Sequence, residues 1–346
     1  MNTKKIFAYL LILISMILVI SGCNAQKAEP KEESKQAQKV YEWDFFVVLP
    51  VNQARSAPLA EFANTVKEKT NGRLVITPRP AGELPYKGQE ILQVVSKNTI
   101  EMADATMPYM SGDSQAGAVV TWPFLCGEQG EFVKAVEATR PIFAKELKER
   151  GIRLLFWFPD PSQVLWGSGK PIEYLEDFKG RKLRTQNSQM QVFANKVQSS
   201  SISMTSPEVP QSMQRGVINT MVTSSVTVND NKFYEFLDWG NLLPVHGGGA
   251  WIVVNEQAFA ELPADIQKIL LEEAAISEKK MINKVIDDNA KALDNIKKNG
   301  VDIYDYKQET LDKGVNIIKD EWTTWAKEAG PYAEEALAAI RKALNK

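Results

Sequence analysis

The sequence predicts an α/β body of two lobes with one long helix spanning both, and three observations carry that expectation. Short strand-like runs alternate with helical patterns from Tyr41 onward, the arrangement that gives parallel or mixed sheets. The body that follows the N-terminal segment has roughly 300 residues, enough for two lobes with separate cores. From Ala264 to Asn299, apolar residues recur at helical spacing with no Gly or Pro. At about 1.5 Å per residue that helix runs about 50 Å, more than one lobe needs. Two helices with an undetected break are the alternative.

The chain opens with Lys4 and Lys5, an apolar run from Ile6 to Ile20, and Ser21-Gly22-Cys23. A charged start, an apolar stretch and small residues before a cut site read as a secretory signal over residues 1–22. The small pair directly before a cysteine is a lipoprotein signal, in which Cys23 is lipidated and becomes the mature N-terminus, anchoring the protein outside the cytoplasm on a bacterial membrane. An ordinary cleaved signal and an uncleaved anchor are the alternatives, although the run is short of the about 20 residues of a membrane span. Residues 23–40, rich in Lys, Glu, Gln, Ala and Ser, read as a flexible tether reaching at most about 55 Å. A short surface helix is the alternative there.

Along the body, Tyr41–Leu49 reads as a strand, Ala57–Lys69 as an amphipathic helix stopped by Thr70-Asn71-Gly72, and Arg73–Pro78 as the returning strand. A helix over Gln89–Ser96 and a strand over Ile100–Thr106 follow, then a helix over Glu128–Arg150 capped by Gly151. Ile152–Phe158 is almost continuously apolar and reads as a strand buried on both faces. Further strands are expected over Val164–Gly167, Arg181–Thr185, Ser201–Met204 and Ile218–Thr223, with helices over Ser188–Val197, Pro207–Arg215 and Asn229–Leu237. A strand pair, Asp238–Val245 and Gly249–Asn255, precedes the long helix, and the tail is helical from Glu309 with a break at Gly330-Pro331.

The composition excludes several chemistries. With 41 basic and 43 acidic residues interspersed, no nucleic-acid partner is expected. One histidine and two cysteines, of which Cys23 is committed to lipid, leave Cys126 unpaired and provide neither a His/Cys metal site nor a histidine triad. No cofactor is expected. His246, in Pro244-Val-His-Gly-Gly-Gly249, reads as a loop or hinge residue. What remains is an anion site: Asp177-Phe-Lys-Gly-Arg-Lys-Leu-Arg184 places an arginine at a strand end, facing the polar helix start at Asn187. In an open α/β sheet small ligands bind beyond the strands' carboxyl ends, and a helix start there favours an anion. Arg184 is the expected clamp.

Lys69-Thr-Asn-Gly-Arg73, Pro80-Ala-Gly-Glu-Leu84 and Trp122-Pro-Phe-Leu125 stand in the first part of the body. Pro171-Ile172, Phe178-Lys-Gly-Arg-Lys-Leu-Arg184, Glu208-Val-Pro210 and Gln214-Arg-Gly-Val-Ile218 stand in the second. In this order the chain resembles the extracytoplasmic solute receptors of tripartite ATP-independent periplasmic (TRAP) transporters, the dicarboxylate-receptor (DctP) family. The resemblance implies a periplasmic binding protein fold of two lobes that closes on a small organic acid and delivers it to the small and large membrane subunits of a sodium-coupled permease. It implies a receptor, not an enzyme, with Arg184 in paired contact with the ligand carboxylate. Lobe I is then expected over residues 41–162 and 249–290, and lobe II over 163–248 and 291–346 with the C-terminal helices. Hinges are expected near Gln163 and Gly247-Gly-Gly249.

The departures from the family pattern shape the pocket expected. Members that bind sialic acid or dicarboxylates often carry a second arginine shortly before the position of Pro171, and 161–170 has none, although Lys170 is a possible replacement. Where many members have an asparagine, this chain has Thr223, followed by Ser224. Gln163, Trp166, Asn187, Thr223, Ser224 and Trp251 are the residues expected beside Arg184. Fewer fixed charges and several nearby tryptophans favour a monocarboxylate with an apolar or aromatic body, a dicarboxylate being the alternative. Two other classes remain: a surface-anchored hydrolase or carbohydrate-active enzyme using Asp160 with Glu173 or Glu208, and an adhesive lipoprotein.

Overall fold

Among the residues that the computed structural model describes, 39–50, 53 and 55–346, nine strands make one mixed sheet. The signal segment, Cys23 and the tether to residue 38 lie outside the described residues. The strands are β1 (Tyr41–Phe46), β2 (Leu74–Arg79), β3 (Met102–Thr106), β4 (Ile152–Gly167), β5 (Lys182–Thr185), β6 (Ser200–Ser203), β7 (Thr220–Thr223), β8 (Trp239–Asn255) and β9 (Asp302–Tyr304). Their order is β2-β1-β3-β8-β4-β7-β5-β6, with β9 also on β8. β1 pairs in parallel with β2 and β3, and β5 with β6 and β7, as βα connections require.

The two halves of this sheet are joined by β4 and β8, antiparallel partners that run through both. The first half of β4 (Ile152–Phe158) lies against the second half of β8, which pairs with β3. The second half of β4 pairs with β7. The sequence suggested separate strands on each side of Pro159-Asp-Pro161 and a strand pair around Gly247-Gly-Gly249. Instead each is one strand, of 16 and 17 residues. Pro161 is tolerated because the register slips between Asp160 and Gln163, whereas Pro159 stays in register with Gly249. The glycines are required by close approach: a Cβ on Gly247 would stand 1.8 Å from the Phe132 ring, and one on Gly249 2.4 Å from the Phe158 carbonyl oxygen.

The helices are α1 (Ser56–Lys69), α2 (Ile91–Ser96), α3 (Gln129–Glu149), α4 (Ser188–Lys196), α5 (Val209–Gln214), α6 (Ser225–Asp230), α7 (Glu256–Ala260), α8 (Ala264–Lys298), α9 (Gln308–Ala329) and α10 (Pro331–Leu344). The helix expected over Asn229–Leu237 is instead the end of α6 and a 3-10 turn at Phe233–Phe236, because Lys232 adopts a left-handed conformation, φ 54°, that ends helical hydrogen bonding.

α8 is unbroken over 35 residues and reaches both cores. Ile266, Leu270 and Met281 join the first-lobe cluster built on α1, β1 and Phe156, while Ile296 joins the second-lobe cluster with Trp166, Met221 and Phe233. Polar contacts repeat the span: Lys280 Nζ reaches Glu61 on α1 at 2.6 Å, and Asn295 Nδ2 donates to Asn229 on α6 at 2.7 Å. The last helix packs mainly on α3. The apolar residues Ala336, Leu337 and Ile340 of α10 share a core with Phe132, Val136 and Phe143 of α3, a first-lobe helix.

Candidate functional site

Parallel pairing of β5 with β6 and β7 brings three strand ends together, and α4 begins two residues beyond β5. Arg184, the third residue of β5, is 1% exposed. Its Nε donates to the Met204 carbonyl at 3.0 Å and Nη1 to the Val222 carbonyl at 3.4 Å, while Nη2 is buried without a hydrogen-bond partner. Among the described residues no carboxylate forms a salt bridge with it. Burial pushes the guanidinium below its ordinary pKa, an effect that Tyr109 and the more distant Glu208 only partly oppose. A buried cation held by neutral carbonyls, with one donor idle, is costly unless an anion completes it.

The wall around Arg184 is built by the crossing strands. Gln186 Nε2 donates to the same Val222 carbonyl at 3.2 Å and lies 3.5 Å from Gln163 Oε1, while its own Oε1 is buried and unpartnered. Gln163 Nε2 donates to the Pro161 carbonyl at 2.9 Å, fixing the side chain at the β4 bulge. Opposite Gln163 on β8 is His246, fully buried, with Nδ1 2.6 Å from the Gly247 carbonyl and Nε2 unpartnered. Burial, reinforced by the charge of Arg184 and opposed by the Gly247 bond, pushes the imidazole down to about 4.

A cavity of about 480 Å³ opens between the halves of the sheet, lined by Phe46, Tyr86, Lys87 and Tyr109 on one side and Met204, whose carbonyl accepts from Arg184, and Glu208 on the other. Glu208 is held by Thr205, whose backbone N–H and hydroxyl both donate to it at 2.7 Å, and these bonds keep its carboxyl below the usual range.

Sequence reasoning missed a second buried arginine. Arg55, at the start of α1, donates to both oxygens of Asp160 at 3.3 and 3.1 Å and to the Thr106 hydroxyl at 3.1 Å, and forms a salt bridge with Asp104 Oδ2 at 3.3 Å. Burial opposes its charge, but the two carboxylates outweigh that and raise its pKa. Burial likewise raises the carboxyl of Asp104, against the pull of Arg55. The available signal was Asp104 itself, an acid within the buried strand Met-Ala-Asp-Ala-Thr, which requires a buried cation.

Of the residues expected beside Arg184, Gln163 lies at the bulge and Thr223 ends β7, one residue past Val222. Asn187 and Ser224 are buried but act as helix caps: Asn187 Oδ1 accepts from Met190 N, with its amide donating to Thr121, and Ser224 Oγ accepts from Thr227 N. Trp166 and Trp251 are fully buried within apolar clusters. The Trp166 indole donates to the Thr223 carbonyl at 2.9 Å inside the second-lobe cluster, and Trp251 packs on Phe143 and Trp157 at centroid distances of 4.9 and 6.1 Å. An aromatic residue on a strand buried on both faces is claimed by the helix layer when that layer leaves the larger space. Lys170 is 78% exposed and paired with Asp177 at 2.8 Å, far from the buried setting a second clamp needs. The three carboxylates of the hydrolase alternative have separate commitments: Asp160 to Arg55, Glu173 to Lys307, Glu208 to Thr205. Cys126 is buried and free.

Three comparisons bear on this arrangement. The model of the DctP family, bacterial extracellular solute-binding protein family 7, matches residues 47–328. A solute-binding protein of Chromohalobacter salexigens is 23% identical over 280 residues, 80% of this chain and 78% of that protein. The 2,3-diketo-L-gulonate-binding periplasmic protein YiaO of Escherichia coli is 24% identical over 245 residues, 70% of this chain and 74% of that protein. Among solved structures, DctP7 of Bordetella pertussis, an extracytoplasmic solute receptor binding pyroglutamic acid, superposes with a TM-score of 0.82 at 24% identity, covering 87% of this chain and 100% of that one. These relatives are receptors and not enzymes. With its two-part α/β sheet, through-running strands and single long helix, the chain belongs to the DctP family of extracytoplasmic solute-binding proteins that serve TRAP transporters.

Proposed function

We propose that this receptor is lipid-anchored through Cys23 and captures a small organic monocarboxylate between its lobes for a TRAP-type permease. The observation that carries the reading is Arg184: buried, hydrogen-bonded to two backbone carbonyls beside the Tyr109 side chain, with Nη2 unpartnered and no carboxylate paired with it among the described residues. A planar guanidinium matches two carboxylate oxygens and keeps its charge when buried. The relatives named for 2,3-diketo-L-gulonate and pyroglutamic acid carry ligands of this acidic kind.

Charge accounting supports one carboxylate and not two. Arg55 is already matched by Asp104 and Asp160, so Arg184 is the cation left for a ligand among the buried groups of the cleft. A second buried carboxylate without a cation would cost several kcal/mol. The body of the acid meets Phe46, Tyr86 and Tyr109, not the tryptophans. Closure swings lobe I (41–162 and 249–290) against lobe II (163–248 and 291 onward) about the bulge at Gln163 and the glycines 247–249, with α10 staying on lobe I.

Native mass spectrometry of receptor purified without added ligand, followed by a calorimetric panel of mono- and dicarboxylic acids, tests the reading. A copurified or titrating monocarboxylate is the expected result. Tight binding of dicarboxylates alone, or of no acid, overturns it. For the anchor, Cys23→Ser is expected to release the protein from the membrane fraction.

A further inference from the structure

Among the described residues, Arg184 Nη2, Gln186 Oε1 and His246 Nε2 are buried polar atoms without a hydrogen-bond partner close to the crossing of β4, β7 and β8. They belong to one neighbourhood. Arg184 and Gln186 donate to the same Val222 carbonyl, Gln186 reaches Gln163, and Gln163 is paired with His246 across the bulge. Their chemical roles are fixed by the partners they already have. A carbonyl oxygen only accepts, so His246 Nδ1 must carry the proton that meets Gly247, which leaves Nε2 as a bare acceptor. The Gln186 amide cannot turn over without setting its oxygen against the Val222 carbonyl, so Oε1 is an acceptor as well. The site thus offers one charged donor and two neutral acceptors, all desolvated, and leaving such groups unpaired is costly.

A carboxylate satisfies only the donor. Being acceptor-only, it leaves Gln186 Oε1 and His246 Nε2 unpaired and adds two more oxygens facing them. We propose that Gln186 and His246 set the specificity of the receptor by accepting hydrogen bonds from an O–H or N–H group adjacent to the carboxylate held by Arg184, as in a 2-hydroxy acid or a lactam acid. This deepens, and rests on, the assignment of Arg184 as carboxylate clamp. A site built to bond an O–H or N–H rejects the analogue lacking it far more strongly than an apolar pocket rejects a shape difference, because its own polar groups are then stranded.

The test is calorimetric titration of the receptor with matched pairs: 2-hydroxy-3-phenylpropanoate against 3-phenylpropanoate, and pyroglutamate against cyclopentanecarboxylate. The donor-bearing member is expected to bind at least about 30-fold more tightly in one pair or both, with Gln186→Leu and His246→Phe each reducing the ratio to about threefold or less. Equal or reversed affinities within every pair overturn the inference while leaving the carboxylate clamp standing. Absence of binding by every acid overturns both. A second measurement needs no variant. His246 is the only histidine in the chain, so receptor labelled with ¹⁵N-histidine gives a single pair of ring signals. A protonated Nδ1 and a bare Nε2 are expected in the free receptor, with the Nε2 signal moving upfield on addition of the tighter-binding donor acid and not of its partner. A protonated Nε2 at the outset, or no response to a donor acid that binds, overturns the role of His246.

Discussion

Replacing Arg184 by methionine is expected to separate ligand affinity from stability, because the structure charges the two to different atoms. In the free receptor the guanidinium is 1% exposed, has two hydrogen bonds to neutral carbonyls at 3.0 and 3.4 Å, and leaves Nη2 idle. Removing it strands two carbonyl oxygens but also removes an unmatched buried charge. These effects oppose, and the free variant should unfold within about 1 kcal/mol of wild type. In the complex, the same change removes the cation paired with the carboxylate, a loss of about 2 to 5 kcal/mol, or about 30-fold to 4,000-fold in Kd. Calorimetric titration reads the second number and urea unfolding the first. Thermal melting connects them: ligand at about 100 times the wild-type Kd adds about 2.7 kcal/mol to wild type, a shift of about 4 °C for a body of this size, and about 0.9 kcal/mol or less to the variant. Arg184→Lys should recover only part of the affinity, since an ammonium keeps the charge but not the fork. Affinity of Arg184→Met within about threefold of wild type would refute the reasoning, as would collapse of the free variant.

Three further outcomes are expected. Gly249→Ala should lower the urea midpoint by the equivalent of about 1 to 3 kcal/mol, because its Cβ would meet the Phe158 carbonyl oxygen at 2.4 Å and backbone cannot yield as a side chain does; an unchanged midpoint would contradict the close crossing of β4 and β8. Gln53→Ala removes the 2.9 Å hydrogen bond to Asn231 that ties the approach to α1 to the end of α6. It should weaken ligand binding by about 0.5 to 1.5 kcal/mol, and full additivity with Asn231→Ala in a double-mutant cycle would show that the bond does not operate. His246 titrates at about 4 in the fold against an ordinary 6.5, so the folded state disfavours its charged form. The stability this confers is complete above pH 6.5 and lost as pH falls toward 4, about 3 kcal/mol in all. Urea unfolding should therefore show a shallower acid loss in His246→Phe than in wild type, and identical slopes between pH 7 and 4.5 would disprove it.

Local patterns made much of this structure legible. The long helix could be read because 35 residues keep one apolar stripe without a breaker, and the place of Arg184 on a strand just before a helix because strand end and helix start are neighbours in sequence. The continuity of β4 and β8 could not, since Pro159, Pro161 and Gly247–Gly249 ordinarily punctuate, and only the partner strand shows that the chain passes through them without turning. The aromatic residues failed for a related reason. Trp166 and Trp251 lie on strands covered on both faces, so alternation assigns them to a face but does not say which face holds ligand. Arg55 meets Asp160 across 105 positions, a separation at which no local rule operates. Gln186 and His246 carried no signal because a neutral amide or imidazole follows no period.

The two buried arginines differ in what neutralises them. Asp104, wholly buried on β3, and Asp160, at the bulge of β4, both reach Arg55, so its charge is absorbed within the first lobe and at the crossing of the strands. Arg184 has two backbone carbonyls and the Tyr109 side chain beside it, and no carboxylate pairs with it among the described residues. Tyr109 stands between them, feeling the charge of both guanidinium groups. On the proposed reading, the number of carboxylates accepted follows from which buried arginine is already paired, and not from how many arginines the sequence contains. The same arrangement links binding to movement. The matched arginine fastens the start of α1 to the crossing strand whether ligand is present or not, whereas the unmatched one gains a partner only when an anion arrives. A ligand shifts the balance between open and closed forms only through contacts that differ between them. The free Nη2 of Arg184 and the bare acceptors beside it are the contacts still to be made.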